Sequence, residues 1–382
     1  MEEINRPLRS KKNFFFYSVM FLMPVAVFAL CSLSFIAYKT VRLFHVHQGW
    51  KGNIHAAHPQ LGDAPVPNAR GSQVFQSGPD IPTWSDEDGF RVPVDQDASS
   101  HPRPLILALG CSVTYGYSTR AEDAYPFLVG RSLNGTSKNA GVSGYGLCQM
   151  FLLAQKLLPA LKPDYLLVQY SPWLVDRAQT PFQELHIGRI PTPYFYEKDS
   201  HFAIHPPVYS AKVFDFPFDR YVNAQGKWSD GWSFYWKVSV PLSVIDGFNR
   251  LKYSLYRGIG AIPKPTGSRE GLITYVYNEI NAIARENGAQ TVIVVLGDDA
   301  TPVKLNEQWF PSDALVVNAH DSLLKRLPLI NAENYLKEYA HWRGSPPVVV
   351  DAHPNERAHR VITDAIVSAI RKSERTTKES KQ

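Results

Sequence analysis

The sequence contains few cysteines, which limits what can hold the fold together. Only three occur among 382 residues, namely Cys31, Cys111 and Cys148. A disulfide framework needs several pairs, and a structural zinc site needs Cys and His at short regular spacings, and the sequence has neither pattern. The fold must therefore depend on a hydrophobic core, which a composition of 44% hydrophobic residues is able to supply. No metal and no organic cofactor is expected.

The sequence also lacks a basic face. The net charge is +5, but residues 1–12 hold four basic and two acidic residues, and residues 371–382 hold five and two. These two ends account for the whole surplus, so the chain between them is neutral overall. Binding to nucleic acid needs a cluster of positive charge on the folded part. We therefore expect no nucleic-acid partner.

One run of the sequence is apolar for long enough to cross a membrane. Residues 14–37 (FFFYSVMFLMPVAVFALCSLSFIA) carry no charge, and as a helix they would span roughly 36 Å. A cleaved signal peptide is the alternative interpretation. The run is longer than the apolar part of a signal peptide, and no small-residue cleavage site follows it. We therefore predict a single transmembrane helix over residues 14–38 that binds the lipid bilayer.

The basic residues on either side of this helix predict its orientation. Four of them precede it within seven residues, whereas Lys39 and Arg42 follow it closely and Lys51 lies further on. Positive flanks favour the cytoplasmic side. The sequence therefore predicts an inner-membrane protein with a cytoplasmic tail over residues 1–13 and its body on the periplasmic or extracytoplasmic side.

The local composition of the remaining chain predicts how it is divided into segments. Residues 39–103 are rich in Pro, Gly, His and Asp and have no sustained period, so we expect a stalk with a short strand near residues 89–92. Residues 104–372 form the expected folded domain. An insertion crowded with aromatic residues and Pro interrupts this domain over residues 178–265, and insertions of that length commonly form lids or substrate walls. A charged tail is expected over residues 373–382.

Short apolar runs alternate with amphipathic segments along the expected domain. The predicted buried strands are residues 105–110, 164–170, 291–297 and 346–351. The predicted helices are residues 147–161, 268–287, 313–326, 332–341 and 356–372. Such alternation predicts an α/β fold with a doubly wound parallel sheet and helices on both of its faces.

Three segments with reactive or small residues lie where ligands bind in such sheets, beyond the carboxyl ends of strands. They are GCSVTYG (110–116), NAGVSGYG (139–146) and DAHPN (351–355). The first holds two adjacent nucleophiles, Cys111 and Ser112, and the third places a carboxylate two residues before a histidine. A nucleophile, an imidazole oriented by a carboxylate, and free backbone donors are the groups that acyl transfer through a covalent intermediate requires.

These three segments, in this order and at these separations, resemble blocks I, II and V of the SGNH/GDSL hydrolase superfamily. The resemblance covers roughly residues 85–372. It is greatest to a membrane-anchored bacterial branch whose block I reads GCSxTxG and which has a GFR segment upstream, as at residues 89–91. The resemblance implies a flavodoxin-like three-layer α/β/α sandwich with a parallel sheet.

The resemblance also implies roles for individual residues. Ser112 would be the nucleophile, and His353 the general base, oriented by Asp351. The oxyanion hole would use the backbone N–H groups of Ser112 and Gly144. Cys111 then stands where the family usually has Asp, beside the nucleophile, although an exposed reactive thiolate at Cys111 is the alternative.

The sequence departs from the family in block III, which normally supplies an Asn side chain to the oxyanion hole. The matching segment, YSPWLVDRA (170–178), contains no Asn, and Trp173 stands near the expected position. Loss of one oxyanion donor costs ~100-fold or more in rate. Arg177 and the indole N–H of Trp173 are the candidate replacements, and both are therefore candidate substrate contacts. Packing under the insertion and a salt bridge are the structural interpretations of these two side chains.

Several further titratable side chains have simpler interpretations. Asp298 and Asp299 follow a predicted strand and are an alternative acid, but Asp351 lies closer to the histidine in sequence. His359 lies on the last predicted helix, where a structural role is expected. Cys148 is expected to behave as a small buried hydrophobe.

The sequence and the resemblance together imply a membrane-anchored serine esterase that acts on O-acyl groups, O-acetyl above all. An acylated carbohydrate is the favoured substrate class, because aromatic side chains stack on sugar rings and because the family commonly acts on such esters. An O-acyltransferase would use the same triad. A lipase-like enzyme remains open as well, and so does a catalytically weak glycan-binding or assembly factor that retains the fold, because the block III Asn is missing. No protein partner is indicated.

Overall fold

A mixed nine-stranded sheet forms the centre of the computed structural model, which describes residues 6–43, 48–75, 78–94, 102–185, 188–221 and 229–379. The strands are β1 (Gln48–Lys51), β2 (His55–His58), β3 (Gly62–Pro65), β4 (Arg70–Phe75), β5 (Ile81–Ser85), β6 (Arg91–Val92), β7 (Leu105–Leu109), β8 (Thr136–Asn139), β9 (Tyr165–Tyr170), β10 (Phe182–Leu185), β11 (Gly188–Pro191), β12 (Tyr194–Lys198), β13 (His201–His205), β14 (Gln290–Val295), β15 (Leu315–Asn318), β16 (His341–Arg343) and β17 (Val348–Asp351). The helices are α1 (Arg6–Leu43), α2 (Ser112–Tyr115), α3 (Tyr125–Ser132), α4 (Leu147–Leu161), α5 (Pro172–Ala178), α6 (Gly231–Phe234), α7 (Val240–Gly258), α8 (Arg269–Glu286), α9 (Ala319–Leu324), α10 (Ala332–Tyr339) and α11 (Glu356–Glu379).

The parallel half of the sheet has the order β8-β7-β9-β14-β15. Numbered along the chain, these five strands read 2-1-3-4-5, which is the flavodoxin-like order. Helices α4, α5 and α8 pack together as one layer, and α3, α9, α10 and α11 pack together as the other. The predicted flavodoxin-like three-layer α/β/α sandwich is therefore confirmed.

The core lies between the sheet and the two helical layers. Strands β7, β9 and β14 are nearly continuous apolar runs, and Leu107, Leu167 and Val294 are fully buried. A central parallel strand is covered on both faces, so both of its sets of alternating side chains must be apolar. This is why the sequence predicts these three strands so clearly.

Two strands of the parallel half differ from the prediction. β8 is a short polar strand (TSKN) that the sequence leaves unassigned, and β15 occupies the beginning of the predicted helix 313–326. The predicted fourth strand, residues 346–351, corresponds to β17, which pairs with β16 in a separate hairpin outside the main sheet. An apolar run predicts a strand, but it does not tell which neighbour that strand pairs with.

The structure corrects the stalk predicted for residues 39–103. Strands β1, β4, β5 and β6 extend the main sheet antiparallel from the edge strand β8, and β2 and β3 form a hairpin. The predicted strand near residues 89–92 is present as β6. These strands are short, β4 is polar in its first half and β5 contains a Pro, so no long apolar period in the sequence indicates them.

The ends of the chain are more helical than predicted. α1 covers the predicted transmembrane segment and continues on both sides of it, and its stretch Asn13–Arg42 is long and apolar enough to cross a membrane. Residues 1–5 of the predicted tail lie outside the described residues. At the other end α11 continues to Glu379, through most of the predicted charged tail.

The insertion over residues 178–265 forms two hairpins, β10–β11 and β12–β13, followed by short helical turns, α6, a π-helical turn (Tyr235–Ser239) and α7. Residues 186–187 and 222–228 lie outside the described residues. The insertion contacts α1, since the hydroxyl of Tyr235 donates to the carbonyl of Leu33 at 2.9 Å. The insertion therefore contacts the N-terminal helix as well as strands β1 and β3.

Candidate active site

Ser112 begins α2, directly after β7, at the carboxyl end of the parallel sheet. The chain turns sharply at Gly110 to place it there. A Cβ atom on Gly110 would lie 1.9 Å from Oγ1 of Thr114 and 2.6 Å from Oε1 of Gln169, so no larger residue fits without rearrangement. Close approach of the backbone therefore explains the glycine before the two candidate nucleophiles.

Gln169, a fully buried side chain on β9, holds this turn in place. Its Oε1 accepts the backbone N–H of Cys111 at 3.0 Å and the hydroxyl of Thr114 at 2.8 Å, and its Nε2 donates to Oγ of Ser171 at 2.9 Å. The sequence motifs do not include this residue. The only available signal was a Gln inside an otherwise apolar strand, DYLLVQY, since a buried amide needs polar partners.

Ser112, His353 and Asp351 are joined by hydrogen bonds. Nε2 of His353 lies 2.9 Å from Oγ of Ser112, and Nδ1 of His353 lies 2.7 Å from Oδ1 of Asp351. Asp351 also accepts the backbone N–H of His353 at 2.7 Å. The carboxylate side chain is only 4% exposed, whereas the imidazole is 34% exposed. The arrangement allows His353 to take a proton from Ser112 while Asp351 fixes its tautomer and orientation.

Tyr117 covers the imidazole on one side, with its ring centroid 4.7 Å from that of His353. Burial raises the pKa of Tyr117, and the negative charge of Asp351 raises it further, so the phenol stays neutral. Trp50 in turn packs edge-on against Tyr117 at 5.4 Å. Both aromatic residues line the cavity next to Ser112 and His353.

The backbone at Gly144 reaches the same cavity as Ser112. Gly144 has a φ of +88°, which L side chains rarely adopt. Within the described ranges, no acceptor is hydrogen-bonded to the backbone N–H of either Ser112 or Gly144. These two donors are thus free to bind an oxyanion.

The two proposed replacements for the missing Asn lie in different surroundings. Arg177 lines the cavity and donates from Nη1 to the carbonyl of Tyr145 at 3.2 Å. Trp173 is half-buried and packs against the main core, and it is not among the residues that line the cavity. Of these two side chains, Arg177 alone reaches the cavity in the described part of the chain.

Gln183, on β10 of the insertion, is a further amide side chain in the cavity. Its Oε1 and Nε2 each lie 2.3 Å from the point where a Cβ atom of Gly144 would stand, so the amide packs against the Cα of Gly144. No family block covers this residue. It lies far in sequence from the segments that hold Ser112 and His353, so only the folded chain brings it to Ser112.

The cavity has a volume of about 560 Å³ and is built from three parts of the chain. The loops that carry Ser112 and His353 and the N-terminal strands form its polar part, while the insertion contributes an apolar wall. The polar lining includes Asn53, His55, Asp63, Ser112, Ser143 and His353, and the apolar lining includes Ile54, Ile190, Val213, Phe214, Phe216 and Phe218. Nδ1 of His55 lies 3.0 Å from Oδ2 of Asp63, which is a second imidazole–carboxylate pair in the same cavity.

The remaining candidates lie away from the cavity. Cys111 is fully buried, with its Sγ 3.4 Å from Oε1 of Gln169, so the alternative of an exposed thiolate is not supported. Cys148 is also buried, and burial raises its pKa. Asp298 and Asp299 are not among the cavity-lining residues. In the described part of the chain, no group of three or more His, Cys, Asp or Glu side chains is arranged to hold a metal.

The strand order defines a flavodoxin-like α/β protein, and Ser112, His353 and Asp351 are hydrogen-bonded in series at the carboxyl end of its parallel strands. No protein-family model and no curated protein matches the sequence. Among solved structures, the chain is similar to a protein of the G-D-S-L family from Desulfitobacterium hafniense, at 12% identity and a TM-score of 0.35, over 70% of this chain and 99% of that one.

Two further structures to which the chain is similar are named as an esterase and a lipase. The psychrotrophic esterase EstA from Pseudoalteromonas is 12% identical, with a TM-score of 0.32 and coverage of 72% of this chain and 100% of that one. A GDSL-like lipase from Bacteroides thetaiotaomicron is 9% identical, with a TM-score of 0.29 and coverage of 72% and 93%. The superfamily that the sequence motifs resemble is thus also named among the similar structures. The chemistry assigned to this chain rests on its own residues.

Proposed function

We propose that this chain is a membrane-anchored serine hydrolase of the SGNH type that cleaves O-acyl esters. The observation that carries the proposal is the hydrogen-bonded chain from Asp351 through His353 to Ser112 at the carboxyl end of the sheet. Residues 241 positions apart in sequence meet at 2.9 Å in the geometry that a nucleophile and its base require.

The reaction follows from this geometry. Oγ of Ser112 attacks the ester carbonyl as Nε2 of His353 takes its proton, and the negative charge on the oxygen is held by the N–H groups of Ser112 and Gly144. His353 then gives the proton to the leaving alcohol. Water resolves the acyl-enzyme, with His353 again acting as the base. Gln183 is the candidate for the side-chain donor that block III lacks, because its amide lies against Gly144.

The proposed substrate is an O-acylated carbohydrate, with acetyl as the favoured acyl group. A cavity of about 560 Å³ exceeds what an acetyl group fills, so it leaves room for a sugar as the alcohol part. Trp50 and Tyr117 offer aromatic faces beside the triad, and Asn53 and the His55–Asp63 pair offer hydrogen-bonding groups for hydroxyls.

Acyl transfer to a hydroxyl acceptor is the second candidate function. The His55–Asp63 pair favours it, because an imidazole held by a carboxylate is a fixed partner for an incoming hydroxyl group. The triad chemistry is the same in both cases, and the two activities differ in whether water or the acceptor reaches the acyl-enzyme.

For the cellular location, we propose that α1 is a single-pass anchor in the inner membrane, with the body on the extracytoplasmic side. The apolar stretch Asn13–Arg42 supports the anchor, and the excess of basic residues before it supports the orientation.

The nucleophile is tested by labelling the full chain, purified in detergent, with a fluorophosphonate probe. We expect the native chain to be labelled and Ser112→Ala to lose the label completely, because the probe reacts with an activated serine hydroxyl. Ser143→Ala is the matched control, since Ser143 lines the same cavity, and it should retain the label. Cys111→Ala should retain it too. Absence of labelling in the folded native chain would favour the glycan-binding function and rule out the serine mechanism.

A further inference from the structure

One face of α7 is apolar and exposed. Val244, Phe248, Leu251 and Leu255 lie three or four residues apart, so they form one stripe along the helix. Their exposed fractions are 58–71%, although all four are large hydrophobic side chains. We call these four residues the apolar face of α7. Ile259, just beyond the helix, is exposed on the same side.

The opposite side of α7 packs on the rest of the insertion, so the apolar face cannot turn inward. Tyr253 is buried, and its ring packs edge-on against Phe182 at 5.0 Å. Leu242 packs into a cluster with Val213, one of the cavity-lining residues. The orientation of the helix is thus determined by packing that leaves the apolar face outside.

The beginning of α7 lies beside α1, near the end of its apolar segment. Oγ1 of Thr40 donates to Oγ of Ser239 at 2.8 Å, and Tyr235 donates to the carbonyl of Leu33 at 2.9 Å. Trp232 and Trp236 lie beside this part of α1 and remain exposed, and the exposed fraction of Trp232 is 73%. Tryptophan is enriched at the boundary between lipid and water, and Lys39 and Arg42 flank the contacting Thr40 in the last turns of α1.

The charges on α7 complement anionic headgroups. The helix contains one acidic residue, Asp246, and that carboxylate pairs with Arg250 at 2.8 Å. Lys252 and Arg257 remain as exposed cations, and Lys252 lies over the ring of Tyr256 beside the apolar face. An apolar stripe bordered by basic and aromatic side chains is the pattern of a helix that lies in a membrane interface.

We propose that the apolar face of α7 docks on the surface of the bilayer that α1 spans. This inference rests on the membrane anchor proposed above, and it adds a second contact that fixes the body against the membrane. The cavity is then held close to the lipid surface, because Phe218 of its apolar wall packs on Phe234 of α6 at 5.8 Å, one residue before Tyr235. The enzyme would therefore meet its ester at the membrane surface.

The test measures how deeply single nitroxide labels lie in a membrane. The full chain is placed in lipid discs of phosphatidylethanolamine and phosphatidylglycerol, and collisions of each label with oxygen and with a water-soluble nickel complex are compared. Cys31 is exposed on α1 while Cys111 and Cys148 are buried, so the native chain is labelled at Cys31 alone. Further positions are labelled in a Cys31→Ser background, in the variants Phe248→Cys and Leu255→Cys.

Two matched controls separate docking from mere exposure. Ser254→Cys places a label on the exposed flank of the same helix, and Leu329→Cys places one on an exposed apolar residue of the α/β body, which is 64% exposed. We expect labels at positions 248 and 255 to shift toward oxygen collisions, as Cys31 does, and the labels at 254 and 329 to collide mainly with the nickel complex.

Each possible result has one interpretation. If the labels at 248 and 255 collide with the nickel complex as often as the label at 329, the proposal is overturned. It is also overturned if they are shielded from both agents and show spin–spin broadening, which would indicate a second copy of the chain. A label at Cys31 that lies in lipid keeps the anchor intact in both cases, whereas a water-exposed Cys31 would refute the anchor itself.

Discussion

At the scale of single residues, the proposed nucleophile, Ser112, is positioned by buried polar side chains outside the proposed triad. Gln169 accepts two hydrogen bonds from the turn that carries Ser112, and Asn139 ties the next loop to it, since its Nδ2 donates to the carbonyl of Thr114 at 2.9 Å and its Oδ1 accepts the N–H of Gly141 at 3.0 Å. Buried polar groups of this kind restrict the loop to one conformation when all are satisfied. The second free donor, Gly144, lies in the loop that Asn139 begins.

Also at this scale, the proposed oxyanion site predicts different effects for substitution of the Gln183 amide and of the Trp173 indole. Gln183→Ala should lower kcat about 100-fold and leave KM nearly unchanged, because a donor to the developing oxyanion acts in the transition state. Trp173→Phe should leave both constants near their native values, since Trp173 packs outside the cavity. Steady-state kinetics on a chromogenic acetyl ester measure both variants. The reverse pattern would assign the missing donor to Trp173 and contradict the role of Gln183.

At the scale of elements, the N-terminal strand β6 supports the turn that carries Ser112. Arg91 on β6 is buried, and its guanidinium donates to the carbonyls of Tyr115, Gly116 and Thr119, while its charge lies 4.5 Å from the ring centroid of Tyr115. Burial lowers the pKa of Arg91. One strand therefore satisfies three carbonyls in the segment that follows Ser112.

Substitution of Arg91 tests this support. Arg91→Met should lower the free energy of unfolding by about 3 kcal/mol or more, because three buried carbonyls lose a charged donor. Arg70→Met is the matched control on β4, where an exposed guanidinium donates to the carbonyls of Ala69 and Ser85 and where solvent replaces the lost donor. Urea unfolding in detergent, followed by tryptophan fluorescence, measures both. Equal losses in the two variants would show that Arg91 has no special role.

At the scale of the whole molecule, buried histidines link stability to pH. Burial, and to a smaller extent the neighbouring His341, Arg91 and His353, together lower the pKa of His359 to about 3, so its imidazole is neutral in the fold. Nδ1 of His359 accepts the backbone N–H of Tyr125 at 3.3 Å, which joins α11 to α3. Burial also lowers the pKa of His341.

Acid should therefore destabilise the protein before it protonates these groups in the folded state. Between pH 6.5 and pH 3 the unfolded chain binds a proton at His359 that the folded chain does not, so the free energy of unfolding falls as pH falls, by up to about 1.4 kcal/mol per pH unit. Urea unfolding is measured at pH 7.5 and pH 5. The free energy of unfolding should fall less between these two pH values in His359→Gln than in the native chain. In His201→Gln, which changes an exposed histidine, the free energy of unfolding should fall as much as in the native chain. An unchanged loss in His359→Gln would contradict this assignment.

Features that depend on local patterns could be predicted from the amino-acid order alone. Hydrophobic period and length predict the apolar runs of β7, β9 and β14, the helices between them and the helix long enough to cross a membrane. The GCSVTYG and DAHPN segments indicate Ser112, Asp351 and His353 as candidate site residues. Local patterns were not sufficient for β8, β15 or the strands between Gln48 and Val92, because short polar strands gain their stability from pairing with neighbours that are distant in sequence.

The surroundings of the triad became visible only in the folded chain. Gln169, Gln183 and the His55–Asp63 pair come from a strand, an insertion and an N-terminal hairpin, and no spacing in the sequence connects them to Ser112. No helix is predicted from the sequence for the residues of α7, and the exposure of its apolar face depends on which side packs on the rest of the insertion. Side chains that lie close together only after the chain has folded leave no local signal, because their contacts are made between elements and not within them.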